Sequence, residues 1–168
     1  MGSGVAVRAA EAADLEAVRG IERGAATAPH WAAAEYAACL EGGAAGRRVL
    51  LVAEVEGAVV GFAVGAVMVM GVEVVWEFES VAVAAAAQRL GVGWALCGAV
   101  VAWCVGRGAM EVELEVRARS AGAIALYERL GFVAVGRRPG YYRSPVEDAV
   151  LMRLEVASSK AGSGAGGG

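Results

Sequence analysis

Lysine is almost missing from this 168-residue chain: fourteen of its fifteen cations are arginines, and the single lysine, Lys160, stands among the last residues. Acidic residues number eighteen, the net charge is −3, and no basic stripe is present that would track a nucleic-acid backbone. Histidine occurs once and proline three times. The three cysteines, Cys39, Cys97 and Cys104, are odd in number and lack the spacing of a metal site or a disulfide framework. They are expected to be reduced and buried, and no metal is expected. Apolar runs long enough to span a bilayer are lacking as well, because the uncharged stretches 57–72 and 90–106 fall short of the ~20 residues required. The opening "MGSGVA" has no hydroxyl residue at position 6 for myristoylation, and no signal peptide follows, so a cytoplasmic protein with no membrane partner is expected.

What is present is a chain rich in Ala, Val and Gly, 58% hydrophobic and of a length that suits one domain. Residues 1–156 are read as that domain, and the low-complexity "ASSKAGSGAGGG" at 157–168 as a disordered tail. A short alternating strand at 5–8 leads into a helix with its apolar stripe at Leu15, Val18 and Ile21. A second helix is expected over 32–41, after the loop holding Pro29, His30 and Trp31. From Val49 to Val83 the period turns strand-like, with turn signals at Glu56-Gly57 and near Gly71, which predicts three antiparallel strands. A helix over 91–107, apolar all round and so expected to be buried, precedes the strictly alternating strand "MEVELEVRA". Ser120 is the expected N-cap and Gly131 the stop of the next helix, and two strands finish the domain. The order βααβββαβαββ implies an α/β fold with a mixed, mostly antiparallel sheet and helices on its faces.

The stretch "QRLGVG" at 88–93 stands between the third meander strand and the apolar helix. Helix-start N–H groups lack partners and the helix dipole adds positive potential, so two glycines and Arg89 there make an anion cradle. A Walker loop would need Gly-Lys-Ser/Thr, and a dinucleotide fingerprint would need glycine where Leu96 stands. The stretch matches Gln/Arg-x-x-Gly-x-Gly/Ala, the pyrophosphate loop of the GNAT acetyltransferases. Together with "ESVAV", "LEVRARSAGAIALYERLGF" and "GRRPGYY…EDAVLM", it makes the chain from 5 to 156 resemble that superfamily. The resemblance is greatest to its ribosomal-protein-alanine N-acetyltransferases (RimI type). The signature Asn-x-x-Ala-x-x-x-Tyr-x-x-x-Gly-Phe is represented by Ser120, Ala123, Tyr127, Gly131 and Phe132, with serine in place of asparagine.

The resemblance implies an acetyl-CoA N-acyltransferase fold, acetyl-CoA as cosubstrate and a protein or peptide N-terminus as acceptor. Acyl transfer to an amine needs a proton acceptor, a stabilised oxyanion and a proton for the leaving thiolate. Glu111, Glu113 and Glu115 share one strand face, of which Glu111 and Glu113 read as solvated; the resemblance singles out Glu115 as general base and Tyr127 as general acid. For the cofactor it implies Val81, Ala82 and Val83 of the preceding strand, then Gln88, Arg89, Leu90, Gly91, Val92, Gly93 and Trp94 of the loop and helix start, with Ser120 and Tyr127. For the acceptor it implies His30, Trp31, Ser80, Tyr141 and Tyr142. Carboxylates in the acceptor channel would favour polyamines and the paired tyrosines a peptide; a lysine acceptor and a non-catalytic acyl-CoA-binding domain stay open. Whether the chain is a monomer or a dimer is undecided.

Overall fold

The computed structural model describes residues 4–25, 31–41 and 46–156; the tail at 157–168 and the loop residues Pro29 and His30 lie outside them. Strand β1 (Ala6–Ala9) pairs antiparallel with β2 (Arg48–Val55), β2 with β3 (Ala58–Met70) and β3 with β4 (Glu73–Val83). The β2–β3 hairpin closes where the turn signal predicts, through Glu56 at φ 52° and Gly57 at φ 80°. Two consecutive left-handed residues form the tight turn whose twist matches the flanking strands. Strand β5 (Glu111–Arg117) joins β4 in parallel, β7 (Val146–Glu155) pairs antiparallel with β5, and β6 (Val133–Arg143) forms the far edge. The sheet order is β1-β2-β3-β4-β5-β7-β6, with β4–β5 as its parallel junction.

Helices cover both faces. Helices α1 (Leu15–Gly24) and α2 (Ala33–Ala38) enclose one core cluster, in which Val18 and Tyr36 meet Leu50, Val52, Phe62 and Val64. Helices α3 (Val92–Gly106) and α4 (Ala121–Leu130) enclose the other, where Leu96, Cys97, Val100 and Cys104 meet Phe78, Val112, Leu114 and Met152. The cysteines are reduced and buried, and burial pushes the Cys97 thiol up to about 12.

Four sequence expectations change in detail. Helix α2 stops at Ala38 rather than 41, and α3 runs from Val92 to Gly106 rather than 91–107, because Gly91 takes φ 79° outside the helix. Helix α3 is not buried all round: its inner stripe is sealed, while Trp94 and Val105 are exposed. Its periodicity is invisible in the sequence because the solvent side carries alanine, glycine and valine in place of charged residues. Ser120 occupies the N-cap position of α4, yet its side chain makes no capping hydrogen bond. Among the described residues no helix is long and apolar enough to cross a membrane.

Glycine sets how closely α3 lies on the sheet. A Cβ on Gly65 of β3 would come within 2.9 Å of Val100 Cγ1 and 3.3 Å of the Trp103 ring, and one on Gly61 within 3.0 Å of Leu96 and Val92. Both backbones must stay bare for the helix to seat. Gly65→Ala is expected to destabilise the fold by about 1–3 kcal/mol through overpacking, read as a lowered Tm in thermal unfolding.

Candidate active site

Strand β4 carries a bulge. Its pairing with β3 skips from Ser80 opposite Val64 to Phe78 opposite Gly65, so Glu79 is the extra residue. A bulge bends its strand and shifts the alternation of side chains. Before it, Phe78 faces the cluster under α3; after it, Val81 and Val83 do so while Ala82 joins the opposite cluster. With β5 the strand pairs at Glu77–Glu113 and Phe78–Leu114, and the two then diverge. The Ala84 N–H donates to Val60 O on the β3 side, so strand alternation turns the peptide groups of Val81 and Val83 toward the open side.

A cavity of about 400 Å³ opens at this parting and reaches through the sheet. On the α4 side it is walled by Ser120, Ala123 and Tyr127. Helix α4 ends on Gly131 at φ 104°, and the Phe132 N–H donates to Tyr127 O; this places the Tyr127 ring edge-on to Phe78 at 5.6 Å and to Phe132 at 6.0 Å. Burial raises the Tyr127 phenol above its usual range, so it keeps its proton.

On the opposite side the wall is acidic. Val112, Leu114 and Val116 of β5 are packed under α3, so Glu115 points to the other face, into the cavity with Glu77 and Glu79 of β4. Each neighbouring cation comes from a distant segment. Arg48 grips Glu79 with two bonds of 3.0 Å, Arg153 holds Glu113 at 2.9 Å, and Arg138 Nε lies 3.2 Å from Glu115 Oε1. Tyr141 and Tyr142 complete this wall with Trp31, their rings edge-on at 5.1 Å. The neighbouring Glu115 carboxylate, with burial, raises the Tyr141 phenol to about 12. Arg117 lies 4.2 Å from the centroid of Tyr142.

Glu77 has no ion-pair partner among the described residues. Burial, then the charges of Glu79 and Glu115, push its carboxyl up to about 7. Ser80 Oγ is buried beside it and makes no hydrogen bond among the described residues.

The loop at 88–93, expected to cradle an anion, lies outside the cavity, beyond the carboxyl end of β4. A short 3-10 turn (Ala85–Ala87) leads to Gln88, then Arg89 at φ 68° and Gly91 at φ 79° turn the chain into α3. The first helical bond runs from Ala95 N to Gly91 O, which leaves the N–H groups of Val92, Gly93 and Trp94 without intrahelical acceptors. Leu90 and Trp94 are exposed, and the Arg129 guanidinium sits 5.0 Å from the Trp94 ring centroid.

The structure thus gathers Glu115, Tyr127, Ser120, Ser80, Val81, Trp31, Tyr141 and Tyr142 on one cavity. It leaves Ala82, Val83 and residues 88–94 off its lining, and His30 lies outside the described residues. Sequence reasoning passed over Glu77 and Glu79 and left Arg138 without a role. Two carboxylates inside the otherwise apolar strand "VVWEFESVAV" were the available signal for the first two.

Because the folded chain keeps the Glu77 proton up to about pH 7 and an unfolded one up to about 4.5, the folded state binds more protons in between. Stability therefore falls as pH rises through that window. Glu77→Gln is expected to be more stable than the wild type by about 1–2 kcal/mol at pH 8, after discounting for solvent screening, and equal to it at pH 4. Thermal unfolding at the two pH values checks this.

The sequence pattern of the acetyltransferase (GNAT) family matches residues 15–132. A ribosomal-protein-S18-alanine N-acetyltransferase structure from Escherichia coli superposes with a TM-score of 0.76 at 30% identity, covering 95% of this chain and 98% of that one. The [ribosomal protein bS18]-alanine N-acetyltransferase of E. coli strain K12 is 43% identical over 72 residues, 42% of this chain and 49% of that enzyme. This chain spans half or less of the length of the curated relatives it matches. NAA60 of Arabidopsis thaliana in complex with acetyl-CoA shares the fold, with a TM-score of 0.79 at 20% identity, covering 91% of this chain and 99% of that one. The mostly antiparallel sheet parted at β4–β5, the cradle at the start of α3 and the match over 15–132 agree, and the chain belongs to the acetyltransferase (GNAT) family.

Proposed function

We propose that this chain moves the acetyl group of acetyl-CoA to the α-amino group of a protein N-terminus, with Glu115 as proton acceptor and Tyr127 as proton donor. One observation carries the reading: Glu115 of β5 and Tyr127 of α4 line the same cavity, from opposite faces of the sheet, where β4 and β5 part. The residues present fit acetyl-CoA. Backbone N–H groups of Val92, Gly93 and Trp94 with Arg89 suit its pyrophosphate, the open peptide groups of Val81 and Val83 suit its amide arm, and a Cβ at Gly93 would reach within 3.4 Å of Leu126. Ser120 offers a short hydroxyl where the family signature has asparagine. When bound, acetyl-CoA supplies an activated acetyl thioester.

The chain's own groups then do the proton work. The Tyr127 hydroxyl, kept protonated by burial, donates to the sulfur as it leaves, since a thiol has a reference pKa of roughly 8.5. Glu115 accepts the proton of the attacking amine, directly or through water. An α-amino group, with a reference pKa of about 7.7–8.0, needs less help than a lysine at about 10.4. Tyr141, Tyr142 and Trp31 provide flat walls and hydroxyls suited to a peptide backbone. The E. coli relatives, named for an N-terminal alanine, support the α-amine over other amines.

A second identity for the base is favoured by Glu77, which lacks the counter-cation Glu115 has and titrates near 7, close to the working pH of a general base. The acid limb of the kcat/KM profile separates the two. Glu77→Gln removes an inflection near pH 7 if Glu77 takes the proton, and leaves the limb in place if Glu115 does.

The main test is mass-spectrometric acetyl transfer to an Ala-starting peptide, to the same peptide with a blocked α-amine and an internal lysine, and to spermidine. Transfer to the free α-amine is expected, lowered by about 10²-fold or more in Glu115→Gln and in Tyr127→Phe. Preference for spermidine or lysine would overturn the acceptor, and acetyl-CoA binding without transfer would make the chain a binding domain.

A further inference from the structure

Between Arg138 and Tyr142 strand β6 advances four residues while β7 advances two, from Ala149 to Glu147. The excess chain leaves the ladder around Pro139, Gly140 and Tyr141, where proline has no N–H to pair and Gly140 takes φ 61°. Strand β6 is an edge strand exposed along its length except at Tyr142. Apolar packing therefore does little to fix the shape of this bulge. The Asp148 carboxylate of β7 does so instead: Oδ1 accepts from the Gly140 N–H at 2.9 Å, and Oδ2 accepts from Arg137 Nε at 2.8 Å. Those two donors hold the carboxyl below the usual carboxylate range, so it is charged at neutral pH and its bonds are charge-assisted.

The bulge carries working parts of the cavity. Arg138, at its start, pairs with Glu115 at 3.2 Å and lies 5.7 Å from the Tyr141 ring centroid; Tyr141 and Glu115 line the same cavity wall; Tyr142 closes it over Arg117. Asp148 does not itself line the cavity.

We propose that Asp148 is a positioning residue: its carboxylate clamps the β6 bulge and so sets where Arg138 and Tyr141 stand against Glu115. The clamp is a property of the fold, while its service to the acceptor rests on the function proposed above. Asparagine at 148 would keep an acceptor for Gly140 and lose the charge; alanine would lose both.

Two readouts on wild type, Asp148→Ala, Asp148→Asn and Arg137→Ala test this. The first is amide hydrogen exchange at Gly140 by NMR. The second is steady-state kinetics with whichever amine the wild type acetylates best, beside the dissociation constant of CoA alone. In Asp148→Ala the Gly140 amide is expected to exchange about 10²-fold faster and the acceptor KM to rise about tenfold, with CoA affinity within about twofold of wild type. Asp148→Asn and Arg137→Ala should shift the same way by less, and they carry the comparison if the alanine variant does not fold. Unchanged exchange at Gly140, an unchanged acceptor KM, or CoA affinity falling in step with acceptor KM would overturn the proposal. If no amine is acetylated at all, the proposed function falls, and the clamp stands or falls on the Gly140 exchange.

Discussion

Strands β4 and β5 run parallel, so the chain must cross from the end of one to the start of the other, and α3 is that crossover. The connection places the N-terminus of α3 beyond the carboxyl end of β4, and α4 starts likewise beyond the carboxyl end of β5. At that same end the Glu79 bulge bends β4 away, and the ladder to β5 stops after Phe78 and Leu114. One topological demand thus gathers the open N–H groups at the start of α3, the outward-turned peptide groups of Val81 and Val83, the Tyr127 wall and a gap through the sheet. Crevices outside the carboxyl ends of parallel strands are where open α/β sheets bind ligands, for this reason.

The gap has an electrostatic cost. Glu77 and Glu79 of β4 and Glu111, Glu113 and Glu115 of β5 share one face, and arginines from β2, β6 and β7 offset all of these but Glu77. Arginine suits this task because its planar fork can hold a carboxylate by two bonds, as Arg48 holds Glu79. Glu77 is left with a proton affinity near neutrality, at the one place where an amine must arrive and give up a proton under the proposed function. Destabilised charge at a reaction centre, compensated by packing such as the Gly61 and Gly65 seat of α3, is an arrangement expected of a working site.

Most of the fold was legible because its signals are local. The Glu56-Gly57 turn, the alternation of "MEVELEVRA" and the Gly131 stop each depend on neighbouring residues, and the element order followed from them. Helix α3 misled in one respect, since Trp94 and Val105 face solvent without a polar neighbour to mark the exposed side. In the site, the cradle, Glu115 and Tyr127 could be placed from motif and resemblance. Glu79's bulge, the Arg138–Glu115 pair and the hold of Asp148 on Gly140 could not, because each depends on register between strands far apart in sequence. Ser120 was read both as a cap and, by resemblance, as a cofactor residue; its side chain caps nothing and walls the cavity, a distinction that only the side-chain direction decides.

Under the proposed function both substrates meet where β4 and β5 part. A crystal structure with CoA joined through an acetyl bridge to the α-amine of an Ala-starting peptide tests this most directly. The pantetheine arm is expected along Val81 and Val83, the sulfur within hydrogen-bonding reach of the Tyr127 hydroxyl, and the peptide leaving between Trp31 and the Tyr141–Tyr142 pair. A peptide arm lying outside the cavity, or a sulfur far from Tyr127, would contradict it.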